Sequence, residues 1–114
     1  MSGEAQVLME QLVEAVKRTQ EYNQYRTLLE NVKRYPDLYR RIGEFRRRSM
    51  MVQMTEYGNP IEQNNALQIE FSDLQKNGLA NEFMVAEHQY CMILRELQGY
   101  FLDNADLELE FLDD

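Results

Sequence analysis

The sequence predicts an all-α fold, an antiparallel helical hairpin or bundle of about five helices with a long C-terminal helix, and three observations carry that prediction. The 114 residues include only two Pro and five Gly and are dense in Leu, Met, Glu, Gln, Arg and Tyr, most of which lose little rotamer freedom in a helix. Apolar residues recur at spacings of three and four along most of the chain. Where that rhythm lapses, the residues are those that start or stop helices: Thr19, Pro36, Gly58-Asn59-Pro60 and Asn77-Gly78.

Val7, Leu8, Leu12, Ala15 and Val16 make one stripe between Glu4 and Thr19 and define helix one. Thr19, whose hydroxyl can cap a helix, opens helix two, with Tyr22, Tyr25, Leu28, Leu29 and Val32 on its apolar face. Proline disfavours the α region in the residue before it, so Tyr35 is expected to be extended and Pro36 to stop helix two. Pro36-Asp37 then suits the first turn of helix three, where a carboxylate complements the helix dipole. Leu38, Ile42, Phe45, Met51, Val52 and Met54 keep a near-heptad rhythm, with Ser49 in the polar gap. Gly58 supplies a left-handed stop and Pro60 the next start. Helix four, over 60–77, has a weaker stripe of Ile61, Leu67, Phe71 and Leu74; Asn77-Gly78 ends it and Asn81 is expected to cap the fifth helix. In helix five, Leu79, Phe83, Ala86, Tyr90, Ile93, Leu97 and Tyr100 alternate steps of four and three, a coiled-coil-like seam.

The length fits one domain, so residues 1–104 are read as a single helical domain. Residues 105–114, with Leu107, Leu109, Phe111 and Leu112 among five acids, read as an acidic apolar tail whose terminal position favours fraying. A domain this small buries a modest share of its surface, and helical chains of this size often complete their cores by oligomerising. Helices three and five are expected to form a long antiparallel hairpin whose surplus apolar surface pairs copies of the chain. The interface residues expected on this basis are Phe45, Met50, Met51, Met54, Phe83, Tyr90, Ile93 and Leu97. Methionine thioethers repack without strain, which suits an adaptable binding surface as well as a core.

The net charge of −8 argues against a phosphate-binding surface over the whole molecule. Residues 1–48 carry ten basic and seven acidic side chains; residues 49–114 carry two basic ones, Lys76 and Arg95, against thirteen acidic. Arg40, Arg41, Arg46, Arg47 and Arg48 form the basic concentration, a possible face for RNA or an acidic partner. It lacks the interleaved stacking aromatics of a single-strand platform, and pairing with acids of the same fold is the favoured reading. One cysteine excludes an intramolecular disulfide, and no long apolar run resembles a signal peptide or membrane span, so a cytoplasmic protein without membrane partners is expected.

No nucleophile with its base, metal cluster or phosphate loop assembles from these residues, so no enzyme and no cofactor are expected. His88 and Cys91 lie three apart on helix five and are the candidates for a metal or redox site, since an imidazolium beside a thiol lowers its pKa. Two ligands do not close a tetrahedral site, and Cys91 is read first as a small hydrophobe.

The order of features resembles the YlbF/YmcA family of small helical bacterial regulators. The resemblance lies in Thr19-Gln20-Glu21-Tyr22-Asn23-Gln24-Tyr25 after an amphipathic first helix, in Tyr35-Pro36-Asp37, and in Ile42-Gly43-Glu44-Phe45-Arg46. It continues through Gly58-Asn59-Pro60, Asn81-Glu82-Phe83-Met84-Val85-Ala86-Glu87 and Ile93-Leu94-Arg95-Glu96-Leu97. The resemblance implies a homo-oligomeric, non-enzymatic adaptor with regulatory protein partners, associated with competence, sporulation or biofilm control. It also implies assembly with related subunits and influence on messenger RNA processing through an endoribonuclease. Members linked to iron–sulfur clusters depend on additional cysteines, whereas Cys91 stands alone here.

Overall fold

The computed structural model describes residues 3–54 and 58–106, and these form six helices and no strand. They are α1 (Gly3–Val16), α2 (Gln20–Lys33), α3 (Pro36–Met54), α4 (Pro60–Glu70), α5 (Ser72–Gln75) and α6 (Gly78–Asn104). Tyr57 and the tail from 107 to 114 lie outside the described residues.

The punctuation residues act as their chemistry requires. Thr19 has extended backbone, accepts a hydrogen bond from the Tyr22 amide at 3.2 Å and donates to the Val16 carbonyl at 2.7 Å, so one hydroxyl closes α1 and caps α2. Gly58 takes φ +88°, a left-handed conformation that suits glycine, and Asn59 caps α4 by accepting from the Ile61 amide. The Asn77–Gly78 junction differs from expectation. Asn77 is the cap of α6, accepting from the Ala80 amide at 3.0 Å, and Gly78 is the first helical residue. Asn81 is already inside α6, where its amide donates to the Gln75 carbonyl.

The fourth helix also divides. Phe71 leaves helical geometry at φ −104°, ψ 26°, which separates α4 from the single turn α5 and sinks the ring into the core. Leu67, Phe71 and Leu74 keep helical spacing across the break, so periodicity alone does not reveal it.

The core gathers where five helices meet: Leu29 and Val32 from α2, Ile42 from α3, Leu67 from α4, Phe71 and Leu74 beside it, and Ala80 and Phe83 from α6. The pairing of helices corrects the expected hairpin of the third and the last helix. α6 packs chiefly on α2, and α3 pairs with α4 and more lightly with α2. Tyr22 and Tyr25 meet Tyr90, and Tyr25 meets Phe83, so α2 and α6 run antiparallel. α3 likewise runs antiparallel to α4 and the short α5, with Arg48 beside Glu70 of α4 and Arg41 beside Asp73 of α5. Ala80 and Ala86 are buried on the α6 seam and let it approach its neighbours closely.

The molecule is flat, 48 × 41 × 18 Å, and its radius of gyration of 18.4 Å exceeds the roughly 13 Å of a compact domain of this length. Two helical arms project from the core: α1 with the second half of α6, and the α3/α4 hairpin. Among the described residues no helix is long and apolar enough to cross a membrane.

Candidate interaction surfaces

The first arm follows from helix length. α6 has 27 residues and α2 has 14, so α6 outruns its main partner by about 20 Å at 1.5 Å per residue. α1, also 14 residues long, lies along that overhang but buries only Val16. Between them is a groove of about 340 Å³, floored by Met9, Leu12, Val13, Leu94, Leu97 and Phe101. The seam of α6 is closed at Phe83 and Ala86, half-buried at Tyr90, Ile93 and Leu97, and open at Tyr100, which is 72 % exposed.

Leu8, Met9, Leu12, Val13, Leu94, Tyr100, Phe101 and Leu102 are all exposed. Of these, Met9, Leu12, Val13, Leu94 and Phe101 border the groove, so its apolar lining is open to solvent on both helices. At the inner end of the groove Tyr90 stacks on Tyr25 and meets Tyr22 edge-on, with centroids 5.3 and 5.4 Å apart. Burial, with smaller effects of Tyr22, Tyr25 and Cys91, pushes the Tyr90 hydroxyl above its ordinary pKa.

The expected interface residues therefore separate. Phe83 is 1 % exposed and belongs to the core, and Phe45 packs edge-on against Phe71 at 5.3 Å. Met50, Met51 and Met54 are exposed at the end of the α3/α4 arm, and Ile61 and Ile69 of α4 are exposed as well. Tyr90, Ile93 and Leu97 lie on the α6 seam as it opens. Sequence reading did not single out Met9, Val13, Leu94 or Phe101, and it placed Leu12 on a buried stripe of helix one. The signal was the seam itself, which runs to Tyr100 although helix two is half as long as helix five needs.

The five arginines are also divided. Arg41 reaches both carboxylate oxygens of Asp73 at 3.2 Å and the Glu70 carbonyl at 2.9 Å. Arg48 pairs with Glu70, and both guanidiniums lie over the Phe71 ring. Arg46 lies over Phe83 and pairs with Glu87; its buried Nη2 is in ionic contact there without an aligned hydrogen bond. Arg40 makes long pairs with Asp37 and Glu44 at 3.7 and 3.9 Å. Arg47 is exposed and makes no ion pair among the described residues. Most of the basic concentration is thus spent holding α3 to α4, α5 and α6.

His88 and Cys91 are both exposed, on the side of α6 away from its buried stripe. Among the described residues no three His, Cys, Asp or Glu side chains gather as a metal site would need. A third surface lies between α2 and α6, an open groove of about 670 Å³ with Gln20, Asn23, Gln24 and Thr27 on one wall and Asn81, Glu82 and Gln89 on the other.

Residues 7–101 match a family described as control of competence regulator ComK, YlbF/YmcA. No curated protein and no solved structure matches the chain.

Proposed function

The chain belongs to the YlbF/YmcA family, a regulatory family named for control of competence, and from that premise we propose that it is a non-enzymatic adaptor that self-associates and presents the assembled helices to a regulatory protein partner in the cytoplasm. The observation that carries this reading is the α1/α6 arm. Met9, Leu12, Val13, Leu94 and Phe101 are exposed side by side along one groove, and contiguous exposed apolar surfaces of this kind mark protein interaction sites.

A second copy is the simplest partner. Two arms brought together side by side would complete a four-helix arrangement around Leu12, Val13, Leu97 and Phe101, the packing that short amphipathic helices adopt. The flatness of the chain supports the same reading, because a layer of helices only 18 Å thick gains a second layer by pairing. In this reading the unit that folds is the helical domain of residues 1–104, with 105–114 as an appended tail. Met50 and Met54, exposed on the α3/α4 arm, then face an outside partner, where their flexible side chains adapt to its shape.

Light scattering across a concentration series tests the first step. The expected mass is twice 13.6 kDa or more in the micromolar range; a monomer at every concentration overturns it.

A further inference from the structure

The α2/α6 groove is a separate surface, and its chemistry is not that of the arm. It lies beside the buried stripes, with Leu28 and Ala86 in its floor, and its rims carry carboxamides where the arm carries leucine and phenylalanine. We propose that this groove binds an extended peptide segment of a partner protein, its carboxamides pairing with the peptide backbone and Glu82 taking a basic residue.

A carboxamide offers a donor and an acceptor together, which is what one peptide unit requires, whereas Lys, Arg or a carboxylate offers only one kind. Gln20, Asn23, Gln24 and Thr27 follow i, i+3, i+4, i+7 spacing on α2, and Asn81 and Gln89 stand eight residues apart on α6. Four helical residues rise about 6 Å, and two residues of an extended chain advance about 6.7 Å. Every second residue of a bound strand therefore meets a polar side chain on the α2 wall, whereas on α6 Val85 stands between Asn81 and Gln89 and only the ends of that wall offer carboxamides. A wall of about 10–12 Å spans three or four residues of the strand, about two of them facing it.

Most of these groups are available, although the Asn81 amide already donates to the Gln75 carbonyl. Among the described residues Gln20, Gln24, Thr27 and Gln89 make no side-chain hydrogen bond within the chain. Asn23 donates its amide to the Thr19 carbonyl at 2.9 Å and keeps its oxygen free to accept. Leu28 and Ala86 form a shallow apolar bed, with Val85 exposed beside it, so the side chain that turns inward must be small or apolar. Glu82 is the one formal charge on the lining, and with the chain at −8 it favours a basic residue beside that small one. A docked helix satisfies its own backbone and would leave the carboxamides without partners; an extended strand brings unpaired N–H and C=O groups to them.

The test uses the full-length protein and a random library of nine-residue peptides, with enriched sequences resynthesised with a fluorescent label and titrated by anisotropy. Enriched peptides should carry Lys or Arg next to a small or apolar residue. The double variant Gln24→Ala with Gln89→Ala should weaken binding roughly 25-fold, at about fivefold per hydrogen-bonding side chain lost. Glu82→Lys should reverse the preference from basic to acidic peptides, and N-methylation of alternate peptide amides should abolish binding in one register and spare it in the other. Circular dichroism should be the same for all variants, because the substituted side chains are exposed. Enrichment equal on wild type and the double variant overturns the proposal. So does binding indifferent to N-methylation, or binding abolished by Leu12→Glu in the α1/α6 arm but unchanged by the groove variants.

Discussion

The guanidinium of Arg41 bridges α3 and α5 by donating to both carboxylate oxygens of Asp73 at 3.2 Å while its carbon sits 4.0 Å from the centroid of the Phe71 ring. A planar fork with five donors can make that double bond and stack at once, which lysine cannot. The contact fixes the short turn that follows the break at Phe71, and it explains why a run of arginines that could serve as a nucleic-acid face is engaged within the fold.

Asp73 gives this contact a pH signature. The Arg41 hydrogen bond holds the Asp73 carboxyl below its ordinary pKa, against an opposing effect of desolvation. A folded pKa below the unfolded value contributes stability that is complete above the unfolded value, about 3.9, and is lost as pH falls through the folded one. Denaturant midpoints measured from pH 6 to pH 2 should therefore fall less steeply below about pH 4 in Asp73→Asn than in wild type.

Phe83 and Met54 test the division between core and surface. Phe83→Ala removes a fully buried ring beside Tyr25 and should cost about 3–5 kcal/mol in chemical denaturation. Met54→Ala, at a side chain 76 % exposed, should change stability by no more than about 0.5 kcal/mol. Equal costs would mean that the two residues share one environment.

Thr19 joins α1 to α2 through its single hydroxyl, and Thr19→Ala should cost about 1 kcal/mol by thermal or chemical denaturation. Thr19→Ser, which keeps the oxygen, should recover most of that loss.

The legibility of the fold in the sequence depended on whether the signal was local. Thr19 acts through its own hydroxyl and Pro36, Gly58 and Pro60 through their own backbone, so the starts of α2, α3 and α4 could be read directly. The break at Phe71 could not, because Leu67, Phe71 and Leu74 keep helical spacing and the departure is imposed by packing under Arg41 and Phe45. The partner of α6 was hidden for a related reason. Periodicity shows that a face is apolar but not which helix covers it, and α2 and α3 carry comparable stripes. Of the candidate site, the opening of the seam beyond Tyr90 was hidden because it depends on the shorter α2 being the partner of α6, and the α1 residues facing it looked like any core stripe until their exposure was seen. The burial of Phe83 and the ion pairs of Arg41, Arg46 and Arg48 likewise needed the fold.

Pairing of copies through the α1/α6 arm is tested most directly by sedimentation of wild type beside Leu12→Glu with Phe101→Glu. Both side chains are exposed in the single chain, so the double variant should keep its helix content while charge on each arm blocks pairing. The expected result is wild type at twice 13.6 kDa or more and the variant at 13.6 kDa. A wild type that stays monomeric, or a variant that keeps the wild-type mass, would contradict it.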